Sequence, residues 1–414
     1  MKNIRFIGKT YSTFDGFRNN LSGFLSGIEP CFSWGVLVFF FCVRGHKRQL
    51  FLVRRQSGGS GGAERVAADF SLRLNAEWEV EQVFAGATVN GIQLGGAQGP
   101  GWLRSLQFAN HVNRLVDKVN PDVVLSLERG PLCDLYRAGD GVHRHWMKLK
   151  YGGSCRWMFN PLNWVYPAQE RRTIAAARVV VANSEMVASQ LRHAYPDAAE
   201  KIRVIRNGFD PKRFHPGSSD ALTSLDLPSG AKALLFLGSG WRRKSLCSVI
   251  AYLVELMERD NTYREKGFLL VAGHGDVASY RGHADRLGVK DRVLFLGAVE
   301  NPADLCRAVE LMVLPTQYDP FSNACLEALA CGCPVLTSTA NGASEVIDHG
   351  RTGLLFVNSN EKAPSVWAEK FLETSFAPRA SIAESVAGMT REAEIDRYEE
   401  LLEEIMHAKE TAGG

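Results

Sequence analysis

Four ionisable residues in the second half of the chain have types and spacings that could do chemistry: Arg243, Lys244, Asp319 and Glu327. The two acids lie eight residues apart in the run TQYDPFSNACLEALACGCPV, residues 316–335. Residues 310–315 read as a strand. From Ser322 the apolar positions Ala324, Leu326, Ala328 and Leu329 fall at helical spacing. Gly332 stops that helix, and Pro334 follows as the next strand begins. A helix opening at Ser322 points the amides of Phe321, Ser322 and Asn323 at whatever lies beside Asp319, which makes an anion site. One carboxylate can then accept bonds from hydroxyls at one end of a ligand, and the other from hydroxyls farther along, with phosphate between them. Arg243 and Lys244 stand at another helix start, after a strand at 234–237 and a glycine turn at 238–240. An arginine fork and a lysine point charge there form a pyrophosphate clamp. Sugar hydroxyls, diphosphate and ribose hydroxyls in that order describe a nucleotide sugar.

Two stretches of the first half could complete such a site. The strand at 49–54 runs into a loop holding Gly58, Gly59, Gly61 and Gly62 before a helix. Glycine there lets backbone approach a ligand closely. The run does not fit the G-x-G-x-x-G dinucleotide pattern. Farther on, Asp140 sits between Gly139 and Gly141, where a strand ends, and His143 follows within one turn. Open α/β sheets bind ligands at the carboxyl ends of their strands, so Asp140 and His143 are well placed. Beyond them, residues 144–172 gather Arg144, Lys148, Lys150, Arg156, Arg171 and Arg172 around a single acid, Glu170. Trp146, Tyr151, Trp157, Phe159, Trp164 and Tyr166 are interleaved with them. That mixture suits the surface of an anionic bilayer. Single-stranded nucleic acid or a buried aromatic helix would give a similar composition.

These elements resemble retaining glycosyltransferases of family 4. The acidic run is similar to the family's donor motif of two acids separated by seven residues, with Asp319 in place of the first Glu. The segment at 241–245 is similar to its Arg-Lys-Gly, with Ser245 for the glycine. RNGFDPKRF, 206–214, is similar to its Asn-Gly-Val-Asp junction segment. The resemblance spans about 49–407 and implies the glycosyltransferase B fold: two Rossmann-like, doubly wound α/β domains facing a cleft. It implies a metal-independent hexosyl transfer with retention, from a nucleotide sugar onto a glycan or lipid-linked saccharide. UDP-glucose and the heptose region of lipopolysaccharide core are the expected pair. Gly61 and Gly62 would approach the donor phosphate or the transferred sugar, and backbone near Val299 would hold the base. Glu327 would bind ribose hydroxyls and Asp319 a hydroxyl of the transferred sugar. Asp140 would orient the acceptor, with His143 touching it or the sugar. A nucleotide-sugar epimerase of the same fold, a transferase for another glycan, or a binding protein without catalysis are the alternatives.

The elements that must position these residues follow from length and pattern. A chain of 414 residues exceeds one core. Domains are expected at 49–215 and 232–388, with a linker at 216–231 and a helix from 389 crossing back onto the first. Strands are read at 79–85, 122–127, 179–184 and 202–205, a loop at 86–101, and helices at 102–119, 360–374 and 391–407. A formal net charge of +3 argues against a general nucleic-acid binder. Nine cysteines without a Cys-x-x-Cys pair read as free thiols in a reducing cytoplasm, with no cofactor or metal expected. Residues 31–43 are apolar but too short to span a bilayer. Residues 1–48 are read as an extension, with an interfacial anchor or an extra strand as alternatives, and the protein as cytoplasmic, peripheral on the inner membrane face.

Overall fold

The computed structural model describes residues 4–6, 9–11, 47–55, 70, 73–74, 78–85, 92–94, 98–357 and 363–413. Two compact units divide the chain at Lys47 and Arg48. In the first, β1 (Ile4–Phe6) pairs antiparallel with β2 (Lys9–Tyr11). The apolar run 31–43 and the glycine loop with Gly61 and Gly62 lie outside the described residues.

The second unit holds two parallel sheets. The first has the order β5-β4-β3-β6-β7-β8-β9, formed by β3 (Arg48–Val53), β4 (Trp78–Phe84), β5 (Ile92–Gln93), β6 (Val123–Ser126), β7 (Leu135–Arg137), β8 (Val179–Ala182) and β9 (Ile202–Val204). The second has the order β12-β11-β10-β13-β14-β15, formed by β10 (Lys232–Leu237), β11 (Gly267–Ala272), β12 (Val293–Gly297), β13 (Leu311–Leu314), β14 (Val335–Ser338) and β15 (Gly353–Phe356). Strands buried on both faces read as unbroken apolar runs, as in LMVL and GFLLVA. Each sheet reverses direction once, between β3 and β6 and between β10 and β13. Ligands of doubly wound sheets bind at such switch points, beyond the strands' carboxyl ends.

Helices cover both faces. In α1 (Gly101–Val119) the buried residues Ser105, Phe108, Ala109 and Val112 follow the i, i+3, i+4, i+7 stripe of an amphipathic helix. It ends where Asn120 turns left-handed before Pro121. Then come α2 (His143–Tyr151), α3 (Leu162–Ala176), α4 (Glu185–Ala194), α5 (Leu246–Arg259), α6 (Asn323–Ala330) and α7 (Arg391–Gly413). Tyr398, Leu401, Leu402 and Ile405 of α7 join Leu50, Leu52, Val123 and Leu125 of the first sheet in one core cluster. The entry to α7 is pinned to the junction segment: Phe209 N–H donates to Met389 O, and Arg391 N–H to Phe209 O.

Several elements differ from the sequence reading. The run at 179–184 yields a strand only to Ala182, because Ser184 leaves the sheet to cap α4, its Oγ accepting from Val187 N. Within 86–101 a two-residue strand forms at β5. Residues Gly342–Val346 form a single 3-10 turn opened by Asn341, whose Oδ1 accepts from Ala343 N–H. The polar stretch 216–231 carries a short helix, Ala221–Ser224, with Leu222, Leu225 and Leu227 packed against the second core. In 144–172, Glu170 does not face the basic residues on the surface. It is 1% exposed and bonds inward.

Candidate functional site

The switch point of the second sheet gathers the donor-side residues. From the end of β10, Gly238 leads into a tight turn that delivers Arg243 and Lys244 to the start of α5. Gly238 has φ +130, and a Cβ there would sit 2.5 Å from Lys244 Nζ, so glycine is what leaves room for the ammonium. From the end of β13 the chain reaches Asp319, which is 8% exposed. Arg243 Nη1 lies 3.2 Å and Lys244 Nζ 3.9 Å from Asp319 Oδ2. Arg243 also donates to Tyr318 O. Two adjacent cations and an acid 75 residues beyond Lys244 therefore form one cluster, with Lys244 almost wholly enclosed.

The helix tip beside them is α6, with Ser322 as its N-cap. Its donors differ from expectation at one point. Ser322 N–H is taken by Asn341 Oδ1 at 3.1 Å, so the free amides of the tip are those of Asn323 and Ala324, which have no intrahelical acceptor. Ser322 Oγ is buried and faces the Cys325 thiol without a well-formed hydrogen bond. Asn323 Oδ1 accepts from Asn207 Nδ2 at 2.6 Å, tying the tip to the junction segment. Phe321 belongs to the second core, as does the buried helix face that carries Glu327. Glu327 itself is 5% exposed. Val299 lies in the loop after β12, half-buried against the same core.

The acceptor-side residues meet this cluster around Gly141. Tyr318, next to Asp319, rests its hydroxyl against Gly141, where a Cβ would collide with it. The φ of +71 at Gly141 also favours glycine. Pro320 closes on the same residue. The Tyr318 hydroxyl donates to Gln190 Oε1 at 2.9 Å, and its ring stacks on Trp146 of α2. Ser184 Oγ donates to Pro320 O at 2.8 Å. Thus the segment holding Asp140 and His143 and the segment holding Asp319 are in contact.

The comparisons with known proteins fit this geometry. The family model described as Glycosyltransferase Family 4 matches residues 60–213, and that described as Glycosyl transferases group 1 matches residues 231–374. The chain thus carries a domain matching glycosyltransferase family 4 and one matching glycosyl transferases group 1. A D-inositol 3-phosphate glycosyltransferase of Actinosynnema mirum is 31% identical over 56% of this chain and 58% of its own length. An uncharacterized glycosyltransferase of Methanocaldococcus jannaschii is 27% identical over 49% of this chain and 53% of its own. The chain thus spans about half the length of the curated relatives it matches. Among solved structures, WaaG, a glycosyltransferase involved in lipopolysaccharide biosynthesis, superimposes with a TM-score of 0.72 at 19% identity. The match covers 85% of this chain and 99% of WaaG. HepE of Anabaena in complex with UDP-glucose gives 0.67 at 19%, covering 86% and 99%. The fold is the glycosyltransferase B fold.

In this chain the switch point of the first sheet holds residues that the sequence reading passed over. The loop leaving β6 carries Glu128 and Arg129. Burial, then the neighbouring Asp140, raises the Glu128 carboxyl above its ordinary range. Arg129 Nη2 lies 3.5 Å from Asp140 Oδ2 and its Nη1 3.7 Å from Glu170 Oε2. His143 stands half-buried at the start of α2, Nε2 3.3 Å from Asn163 Oδ1. Burial, and secondly the Arg129 charge, lower its pKa to about 4, so its ring is neutral at physiological pH. The only signal in the sequence for Arg129 was its place after an apolar strand, which becomes informative once strand order is known.

Proposed function

We propose that this protein transfers glucose from UDP-glucose to a hydroxyl of a lipid-linked saccharide, the heptose region of lipopolysaccharide core, with retention at the anomeric carbon. The observation that carries the reading is the Arg243–Lys244–Asp319 cluster at the second switch point, held against the Asp140–His143 segment by the Tyr318–Gly141 contact. Diphosphate would lie beside Lys244 and Arg243, with the α6 amides of Asn323 and Ala324 facing it. Glu327 would bind ribose hydroxyls, the loop at Val299 the base, and Asp319 a hydroxyl of the sugar. The acceptor hydroxyl, oriented by Asp140, attacks the anomeric carbon on the face from which UDP leaves. Its proton passes to the departing phosphate oxygen as the C–O bond breaks. Charge growing on that oxygen is met by Lys244, Arg243 and helix amides already aimed at it, without a metal ion.

The surface of 144–172 supports a membrane-borne acceptor. Phe159 is 88% exposed, Leu149, Met158 and Trp164 about half. Arg144, Lys148, Lys150, Arg156, Arg171 and Arg172 are exposed among them. Apolar anchors ringed by cations fit an anionic bilayer surface, which supports a peripheral position at the inner face of the cytoplasmic membrane. Among the described residues no helix is long and apolar enough to cross a membrane. The names of the curated relatives favour a second acceptor, a soluble phosphorylated cyclitol.

The test incubates the protein with UDP-glucose and either heptose-terminated core oligosaccharide or inositol phosphate. The expected product is an α-linked glucosyl oligosaccharide, seen by NMR of its anomeric proton. Lys244→Ala and Glu327→Ala should each cost about 100-fold or more in turnover. Wild-type rates in both variants, or a β-linked product, would remove the mechanism. Glucosylation of inositol phosphate alone would move the acceptor to the second reading.

A further inference from the structure

Arg129 lies where the strand order of the first sheet reverses, in the loop leaving β6. Its side chain is 8% exposed, and its guanidinium lies over the Tyr166 ring, 5.2 Å from the centroid. Asp140 presents the opposite picture: one carboxylate oxygen turns toward Arg129, while 75% of the side chain is open to solvent. Glu170 divides its two oxygens. Oε2 accepts from the His143 backbone amide at 3.2 Å, and Oε1 accepts from the Tyr195 hydroxyl at 2.8 Å. The His143 ring stands edge-on to Tyr166, 5.1 Å between centroids. One buried cation thereby reaches Asp140, which precedes Gly141, and Glu170, which holds the start of the helix just after it; Gly141 is the residue on which Tyr318 and Pro320 rest.

We propose that Arg129 is a positioning residue for sugar transfer: through Asp140 it fixes the carboxylate that receives the acceptor hydroxyl, and through Glu170 it fixes the helix start that presents His143. The proposal rests on the sugar-transfer reading above and names a group that reading does not use. Two acids approached by two different nitrogens require a planar fork, which lysine lacks. The Tyr166 ring beneath the guanidinium restricts where the fork can sit, within reach of both acids before any ligand arrives. Arg129 also shapes the field at His143. The charged and titratable groups around that ring are Arg129, Lys150, Asp140, Glu170 and Tyr166, with Asn163 on Nε2. After burial, Arg129 is the largest of the influences that hold the ring neutral. A neutral imidazole can accept a hydroxyl proton in a hydrogen bond, which an imidazolium cannot.

Two experiments decide it. Arg129→Lys keeps the charge and removes the fork. With UDP-glucose and heptose-terminated core oligosaccharide, kcat/KM for the oligosaccharide is expected to fall at least about tenfold, with UDP affinity by calorimetry unchanged. In an Asp140→Asn background the same change should cost clearly less than in wild type, because one of the two carboxylates through which Arg129 acts is then neutral. Additive losses would mean a structural role only and overturn the proposal. In the second experiment, Arg129→Met is combined with Glu170→Gln, so that no buried acid is left without its cation. NMR titration of the His143 ring should then move from about 4 toward 6.5. An unmoved titration overturns the proposal whatever the acceptor proves to be. If wild-type protein glucosylates neither acceptor while the titration does move, the acceptor reading fails and the link from Arg129 to His143 stands.

Discussion

Ser245 has a left-handed backbone, φ 61 and ψ 42, directly after the cation pair. A side chain in that region costs about 1–2 kcal/mol relative to right-handed geometry, and glycine escapes the cost while losing some entropy of its own. Ser245→Gly is therefore expected to stabilise the fold by up to about 1 kcal/mol, read as a rise in thermal midpoint; a fall would show that the hydroxyl is needed there. His143 gives a pH dependence with a definite sign. Its folded pKa of about 4 lies below the ordinary 6.5, so the unfolded chain binds the proton more readily. Its contribution to stability is whole above pH 6.5 and is lost as pH falls toward 4. His143→Gln should flatten denaturant midpoints across that window. An unchanged slope would place the acid sensitivity elsewhere. Asp319, Glu327, Arg243 and Lys244 were legible in the sequence because each sits at a fixed step from a helix start. Arg129, Glu170 and Asn341 were not, because a charge in a loop or a glutamate in a helix gives no sign of facing inward until its neighbours are placed.

The helices and strands follow the same division. Long apolar runs and stripes of period 3.6 gave most sheet strands and α1, since burial on both faces or on one face leaves that mark. Short pieces such as β5 and the turn at Gly342–Val346 depend on partners in other segments, and propensity over a few residues does not reveal them. The α4 tip shows how such partners work. Glu345 accepts from the amides of Glu185 and Met186 at 3.0 and 2.7 Å and from Arg206 at 2.9 Å, so an acid from the second domain caps a helix of the first. On α7, Leu402 is fully buried against the first sheet. Leu402→Ala should cost about 2–5 kcal/mol by urea denaturation, and an effect below about 1 kcal/mol would mean that the helix docks loosely.

At the scale of the whole molecule, the two sheets place their switch points so that residues more than 100 positions apart share one site, as Tyr318 and Gly141 do. UDP bound there at 100 times its dissociation constant should stabilise the protein by about 2.7 kcal/mol. Thermal shift with UDP, GDP and CDP would rank the bases, and equal shifts would argue against base recognition near Val299. The exposed Phe159 and Trp164 carry a separate expectation. Replacing both by Asp should abolish co-sedimentation with phosphatidylglycerol vesicles while leaving turnover on soluble oligosaccharide intact. Undiminished sedimentation would assign the patch to another partner.

The docking of α7 has a bearing on how the chain is made. Ribosomes deliver the first sheet early, yet the apolar side formed by Leu50, Leu52, Val123 and Leu125 is roofed by a helix synthesised only after the entire second sheet. Until Tyr398 and Leu402 emerge, that half-built layer is greasy and uncovered, and prone to cling to other nascent chains. Stalled or prematurely terminated products should accordingly partition into aggregates or onto chaperones, even when both sheets have been fully translated.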